Sequence, residues 1–283
     1  MTMEEQEATP VLYDSHMHTP FCKHAKGDPE EYAVVAVSRG LKGITFTCHN
    51  PGPAGWSPRI RMAIEEYELY LETIARTREA WNGRLDIHVG LECDYMPGME
   101  PWLEKLLNRA PLSHVLGAVH PQLKYYRDAF YNGNVTNFQQ TYYEHLAQAA
   151  ETGLFDTLAH PDLVKNVFPN HWHVSRLLDI IRPALDRIAA TGVAMELNTS
   201  GLHKRVREMN PGLQILTEMK ERDIPVVIGS DAHEPHRVAA DFEMAMGFLA
   251  EAGYETVSIV VERQRREIPL TVARESLKPW GST

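Results

Sequence analysis

Two histidines separated by a single residue open the case for chemistry. Asp14-Ser15-His16-Met17-His18 closes a short apolar run, Val11-Leu12-Tyr13. Side chains two apart on a strand face the same side, so His16 and His18 leave one strand end in parallel, as two ligands of one metal ion would. The same kinds of residue recur in the same kind of place. His49 follows Ile44-Thr45-Phe46-Thr47-Cys48, Glu92 follows His88-Val89-Gly90-Leu91, and His120 follows Leu116-Gly117-Ala118-Val119. His160 follows Thr157-Leu158-Ala159, and Asp231 and His233 come just after Val227-Ile228-Gly229-Ser230.

The elements that must position these residues alternate between short β-like runs and longer helical stretches. Strands are expected at Val11–Asp14, Gly43–Thr47, Asp86–Glu92, Val115–Val119, Thr157–Ala159, Ala194–Leu197 and Val226–Gly229. Most are near-continuous apolar runs, the mark of parallel strands buried on both faces. Asp28-Pro29 starts a helix that Gly40 stops, and Ser57-Pro58 repeats the start signal before a stretch to Trp81. Further helices are expected over Glu100–Arg109, Asn137–Thr152, Val174–Thr191, Pro211–Arg222 and His236–Ala252. Strand and helix alternating seven times point to an α/β fold whose parallel strands close into a barrel. Thr256–Glu262 reads as an extra strand or arm that Ile268–Val272 continues, and the loop Pro121–Thr136 is expected over the strand ends. With no linker-like stretch, residues 1–10 are taken as an N-terminal extension, 11–270 as a single barrel domain and 271–283 as a C-terminal tail.

In closed α/β barrels the C-terminal ends of the strands carry the chemistry, and here that face collects the polar ligands of six strands. Imidazoles and carboxylates without thiolate suit Zn, Mn or Fe(II) rather than an oxygen-only Mg or Ca cage. Eight strand-end ligands exceed what one ion uses, so two or three divalent ions are expected, with Glu92 placed to bridge. Clustered ions can hold a hydroxide between them, by lowering the pKa of the bound water, and clamp both oxygens of a displacement.

Composition narrows the rest. The formal charge of −10 without a basic run argues against a nucleic-acid partner. Three cysteines, Cys22, Cys48 and Cys93, with no CxxC pair argue against a disulfide framework or thiolate zinc site. The polar Met1–Thr9 segment has no signal-peptide pattern and no apolar run reaches the roughly 18 residues of a spanning helix, so a cytoplasmic location without membrane contact is expected.

The ordered stretches DSHMHTPFCKHAKGDPEEY, GLKGITFTCHNP, GLECDY, GAVH, LAHPDLVK, ELNTSGL and VVIGSDAH resemble the polymerase and histidinol phosphatase (PHP) superfamily, and most closely its monofunctional histidinol-phosphatase branch. The resemblance spans Val11 to about Leu270. It implies a distorted (β/α)7 barrel with a trinuclear metal site. The first ion would take His16, His18, Glu92 and Asp231, the second would share Glu92 and take His120 and His160, and the third would take His24, His49 and His233. The implied reaction is hydrolysis of L-histidinol phosphate to histidinol and phosphate, a step in histidine biosynthesis, through a metal-bridging hydroxide. Cys48 stands where many members carry Asp, and Pro121-Gln122-Leu123 where relatives tend to carry an aromatic.

Lys165, five residues after His160 in a matching stretch, is expected to contact phosphate and assist catalysis beside Glu92 and Asp231, with Lys204 and Arg205 as further phosphate contacts. Other readings are a PHP phosphoesterase for another small ester, such as a nucleotide or sugar phosphate, and a non-catalytic PHP metal-binding module. A metal-dependent amidohydrolase shares the HxH barrel logic but usually wants a lysine-derived bridge where Glu92 stands. His88 is assigned to the core or outer wall, His114 to the face opposite the strand-end ligands, Met244 and Met246 to helix packing, and Asp14 to orienting a ligand or to a strand-end hydrogen bond.

Overall fold

The computed structural model describes residues 9–53 and 56–279. Among them, nine strands form one sheet in chain order. These are β1 (Tyr13–Asp14), β2 (Gly43–Phe46), β3 (Asp86–Asp94), β4 (His114–Ala118), β5 (Thr157–Leu158), β6 (Ala194–Asn198), β7 (Val226–Gly229), β8 (Thr256–Val261) and β9 (Gln264–Pro269). β1 to β8 pair in parallel and β9 returns antiparallel along β8. The helices are α1 (Pro29–Ser38), α2 (Tyr67–Ala80), α3 (Glu100–Leu107), α4 (Lys124–Phe130), α5 (Val135–Glu151), α6 (Val174–Thr191), α7 (Leu213–Lys220), α8 (Phe242–Glu251) and α9 (Leu270–Ser276).

Closure is made by the residues that carry the first ligands. His18 N donates to Ala232 O at 2.8 Å and Ala232 N to His16 O at 3.1 Å, bridging the chain just past β1 to the chain just past β7. β7 thus shares one edge: β8 takes its start, at Val227–Ser258, and the end of β1 takes its continuation. The result is a distorted barrel of seven strands with β8 and β9 splayed from the seam. Asp14 pins that seam. Its fully buried carboxylate accepts from Ser230 Oγ at 2.5 Å, Ala239 N at 2.8 Å, Ser230 N at 3.1 Å and His16 N at 3.3 Å. Of the two roles considered for Asp14, the structure shows the strand-end hydrogen bond, since its carboxylate holds backbone beside the ligands and no ligand ring.

Local signals explain most element ends. α1 starts where Asp28 N donates to Glu31 Oε2 at 2.7 Å and Glu31 N to Asp28 O at 2.9 Å, with Pro29 in the first turn. Buried aromatics and aliphatics of α2, α5 and α6 pack the outside of the barrel, each fully buried Leu or Ile contributing about 1.5–3 kcal/mol. Three expectations are corrected. Helix α2 begins at Tyr67 rather than near Ser57, because Arg61 is drawn inward, 2 % exposed, to pair with Asp94, so the chain before it crosses the strand ends. Residues 121–136 contain α4, too short to show a period, whose Tyr126 is buried against His145 at 2.8 Å. Residues 268–272 do not prolong one strand: β8 and β9 form a hairpin about Glu262 and Arg263, at φ 51° and 60°, and the chain turns helical at Leu270. Of the two flanking segments, residues 1–8 and 280–283 lie outside the described residues, and α9 buries Ala273.

His114 opens β4 away from the ligand-bearing strand ends, fully buried, with Nε2 2.9 Å from Thr157 Oγ1. Burial pushes its pKa down to about 3. The unfolded chain takes up a proton near the ordinary value of about 6.5 while the folded chain resists it, so stability is full above that pH and lost as pH falls toward 3. Between pH 7 and 5 this one group is expected to cost about 2 kcal/mol. Thermal melts should show a His114→Gln variant losing less stability over that interval than the wild type.

Candidate metal centre

Glu92, near the end of β3 and 0 % exposed, is the hub of the site. His49 Nδ1 lies 2.6 Å from its Oε2, with His16 Nε2 at 3.5 Å and His18 Nε2 at 3.6 Å. Its Oε1 faces His160 Nε2 at 2.8 Å and His120 Nε2 at 3.2 Å. Asp231, just past β7, brings Oδ1 to 3.1 Å from His18 Nε2 and 3.7 Å from His16 Nε2. The remaining imidazoles, His24 and His233, meet at 3.0 Å through their Nε2 atoms, and both stack near His49 or His18. All nine expected ligands therefore share one cluster, whose close donor triads overlap: His16–His18–Asp231, Glu92–His120–His160 and His24–His49–His233, together with His18–His49–Glu92 and His18–Cys22–His233. His160 and Asp231 reach it with φ of 31° and 51°, left-handed backbone that non-glycine residues hold only where surroundings enforce it.

The donor chemistry fits metal. His24 Nδ1 is 2.7 Å from Cys22 O and His233 Nδ1 is 3.0 Å from Asp231 O. A carbonyl accepts only, so each Nδ1 carries its ring's proton and the two Nε2 atoms point lone pairs at each other. A cation between them resolves that repulsion. His16 Nε2 and Glu92 Oε2 are likewise buried without a hydrogen-bond partner. Burial alone would lower His16 and His18, yet Glu196, Asp231 and Glu92 push His16 up, and Asp231, Cys22 and Glu92 push His18 up to about 9, which marks a place that calls for positive charge. Burial would raise Glu92, but His49, His120 and His16 hold its carboxyl well below the usual range.

Outer partners set the rings. His16 Nδ1 bonds Glu196 Oε1 at 2.6 Å and His120 Nδ1 bonds Asp94 Oδ1 at 2.6 Å, the arrangement that fixes a ligating imidazole's tautomer. Glu196 also accepts from His160 N at 2.9 Å and Asn198 Nδ2 at 3.0 Å. A Cβ at Gly229 would land on Glu196 Oε1, so only glycine fits there. Asp94 is held in turn by Arg61, through Nε at 2.7 Å and Nη2 at 2.8 Å, and by Trp56 Nε1 at 2.9 Å.

Sequence reasoning missed Asp94, Glu196 and Arg61. Asp94 sits two residues past Glu92 on β3, so period-two alternation could have found it. Glu196 lies within the ELNTSGL stretch. Arg61 left no local signal.

The cluster floors a cleft of about 940 Å³. Lys204 and Arg205 line it, together with Arg61 and Arg127. Lys204 Nζ lies 3.2 Å from Asp231 Oδ2, which Ser200 Oγ also reaches at 2.9 Å. Lys165 is a correction. Its ammonium is 0 % exposed, bonded to Met209 O at 2.7 Å and Asp162 Oδ2 at 2.9 Å, with Glu208 Oε2 at 3.4 Å. It is not among the cleft-lining residues, because the buried charge of Asp162 pulls it into the wall behind His160.

Comparison with known proteins agrees with this geometry. The PHP domain family matches residues 14–200. A protein of Deinococcus radiodurans named "Probable histidinol-phosphatase" is 36 % identical over 253 residues, covering 87 % of this chain and 96 % of that protein. The histidinol-phosphatase of Bacillus subtilis is 30 % identical over 264 residues, covering 81 % and 96 %. The crystal structure of histidinol phosphate phosphatase from Lactococcus lactis, complexed with zinc, L-histidinol and phosphate, superposes with a TM-score of 0.76 at 18 % identity over 90 % of this chain and 98 % of that one. Strand-end ligands, barrel and relatives converge: the chain belongs to the PHP family, in its histidinol-phosphatase branch.

Proposed function

We propose that this protein is a metal-dependent phosphomonoesterase that hydrolyses L-histidinol phosphate to L-histidinol and phosphate in histidine biosynthesis. The observation that carries the reading is the gathering of nine imidazole and carboxylate ligands around Glu92 at the floor of a cation-lined cleft. Nine ligands exceed what one ion uses and support a centre of two or three divalent ions, with Zn, Mn or Fe suited to so imidazole-rich a donor set. When bound, such ions activate water and neutralise phosphoryl charge. The names of the relatives supply the substrate. Three free, buried cysteines suit a reducing compartment, and we place the protein in the cytoplasm. Among the described residues no helix is long and apolar enough to cross a membrane.

The chain's own residues divide the work. Glu92, Asp231 and the seven histidines hold the centre, and Glu196 and Asp94 fix His16 and His120. Phosphoryl transfer needs mainly positioning and charge stabilisation. Lys204, beside Asp231, and Arg205 and Arg127 on the same cleft supply fixed positive charge for the phosphate oxygens. Arg61 is locked by Asp94 in one orientation and adds a preorganised guanidinium to that wall. Lys204 also screens Asp231: burial would raise that carboxyl, but Lys204 and His16 hold it well below its usual range.

Phosphate release from histidinol phosphate, measured on metal-reconstituted protein beside several nucleotide and sugar phosphates, tests the assignment. Histidinol phosphate is expected to give the highest kcat/KM, and an equal or better rate on an unrelated ester would sink the biosynthetic role. In the same assay Lys204→Met should lower kcat/KM by roughly 10–100-fold, the loss of one charge-assisted contact of about 1.5–3 kcal/mol.

A further inference from the structure

An imidazole that reaches a metal through Nε2 carries its proton on Nδ1, and a buried Nδ1–H needs an acceptor. Four rings of the cluster have one: His16 in Glu196, His120 in Asp94, His24 in the Cys22 carbonyl and His233 in the Asp231 carbonyl. His49 reverses the pattern and turns Nδ1 to Glu92. His18 is different. It is 0 % exposed, its Nε2 faces Asp231 and Glu92, and its Nδ1 is buried with no hydrogen-bond partner. His160 Nδ1 is unpartnered too, so the orphaned nitrogen alone is not the argument. What sets His18 apart is a sulfur: the Cys22 Sγ lies within 4.8 Å of a ring nitrogen of His18 and of His233.

Cys22 is built into that position. It is a free, fully buried thiol at the end of the short helical turn Pro20–Cys22. Lys23, with φ 70°, reverses the chain there and returns His24 to the cluster. The Cys22 carbonyl already orients His24. The neighbouring Cys48 thiol is itself buried and donates to Thr19 O at 3.6 Å.

We propose that Cys22 is a positioning residue of the metal centre: its sulfur accepts the His18 Nδ1–H and holds the ring with Nε2 on the ion shared with Asp231 and Glu92. One residue then sets two imidazoles, His24 through its carbonyl and His18 through its thiol, and so couples the geometry of two ion sites. This rests on the metal-centre reading given above.

Zinc affinity by chelator competition on the full-length protein tests it. Cys22→Ala should weaken zinc binding by about 10–100-fold, Cys22→Ser should recover most of it because its hydroxyl can accept, and Cys48→Ala should stay within about threefold of wild type. Should Cys22→Ala fail to fold, Cys22→Val fills the buried volume without an acceptor and takes its place, with melting of the metal-free proteins as the folding control. Unchanged zinc affinity in the alanine or valine variant overturns the proposal alone. A sulfur-to-cobalt charge-transfer band in the cobalt-substituted wild type, lost in Cys22→Ser, would make Cys22 a direct ligand and also overturn it. A wild-type chain that binds no zinc would overturn the metal-centre reading together with this one.

Discussion

Glu92→Gln is expected to abolish phosphate release, lowering kcat by about 10³-fold or more, because it removes the one charge that the ligand groups share. The carboxylate has no exposed surface, and five imidazole nitrogens lie between 2.6 and 3.6 Å from its two oxygens. Glutamine keeps the shape but presents an NH₂ donor where one oxygen stood. It also removes the negative charge that would compensate bound cations. Metal content should therefore fall with activity, and elemental analysis of the purified variant checks this independently of turnover. The fold should survive. Strand β3 is held by its ladders to β2 and β4, and Glu92's amide bonds the backbone carbonyls of Thr47 and Cys48 at 3.1 and 3.2 Å whatever its side chain. A variant with full zinc content and near-wild-type kcat would remove Glu92 from the centre.

How much of this was legible depends on the range over which each residue acts. The strands were readable because each is a short apolar run bounded by turn chemistry, and Val226–Gly229 coincides with β7 residue for residue. The ligands at strand ends followed from that, since a strand's end and a barrel's face are one fact seen locally and globally. His24 followed only from resemblance. It lies beyond a turn, and nothing local says that the chain doubles back to bring it 3.0 Å from His233, 209 positions away. Arg61 is the opposite failure. Its surroundings read as the first turn of a helix, and a long-range pair with Asp94 overrode that propensity. The hairpin after β8 was half seen, because Glu262 and Arg263 occupy left-handed backbone that sequence alone assigns to Asn-Gly. Arg263 Nε is held there by Asp156 Oδ1 at 2.7 Å.

Lys165→Met is expected to cost the fold and spare the substrate, the reverse of what its place in the LAHPDLVK stretch suggests. The ammonium ties two separate segments: the turn after β5 that contains Asp162, and residues 208–212 leading into α7. Asp162 is fully buried and accepts three bonds, from Lys165 Nζ at 2.9 Å, Asn210 Nδ2 at 2.5 Å and Gly212 N at 3.0 Å. Methionine fills the volume of the lysine stem but leaves that carboxylate without its counter-charge. Breaking one side of a buried pair costs roughly 3–5 kcal/mol, which for a chain of this size is a melting-temperature drop on the order of 6–20 °C. Because Lys165 does not line the cleft, KM for histidinol phosphate on the folded protein should stay within about threefold, less than the loss of one hydrogen bond to a charged group would produce. An Asp162→Leu/Lys165→Met double variant removes both charges together and should recover part of the lost melting temperature, since the penalty lies in the unpaired carboxylate rather than in the missing amine. A KM raised tenfold or more at unchanged melting temperature would put the ammonium back on the phosphate, and would mean that the segment 208–212 swings away from β5 when substrate binds.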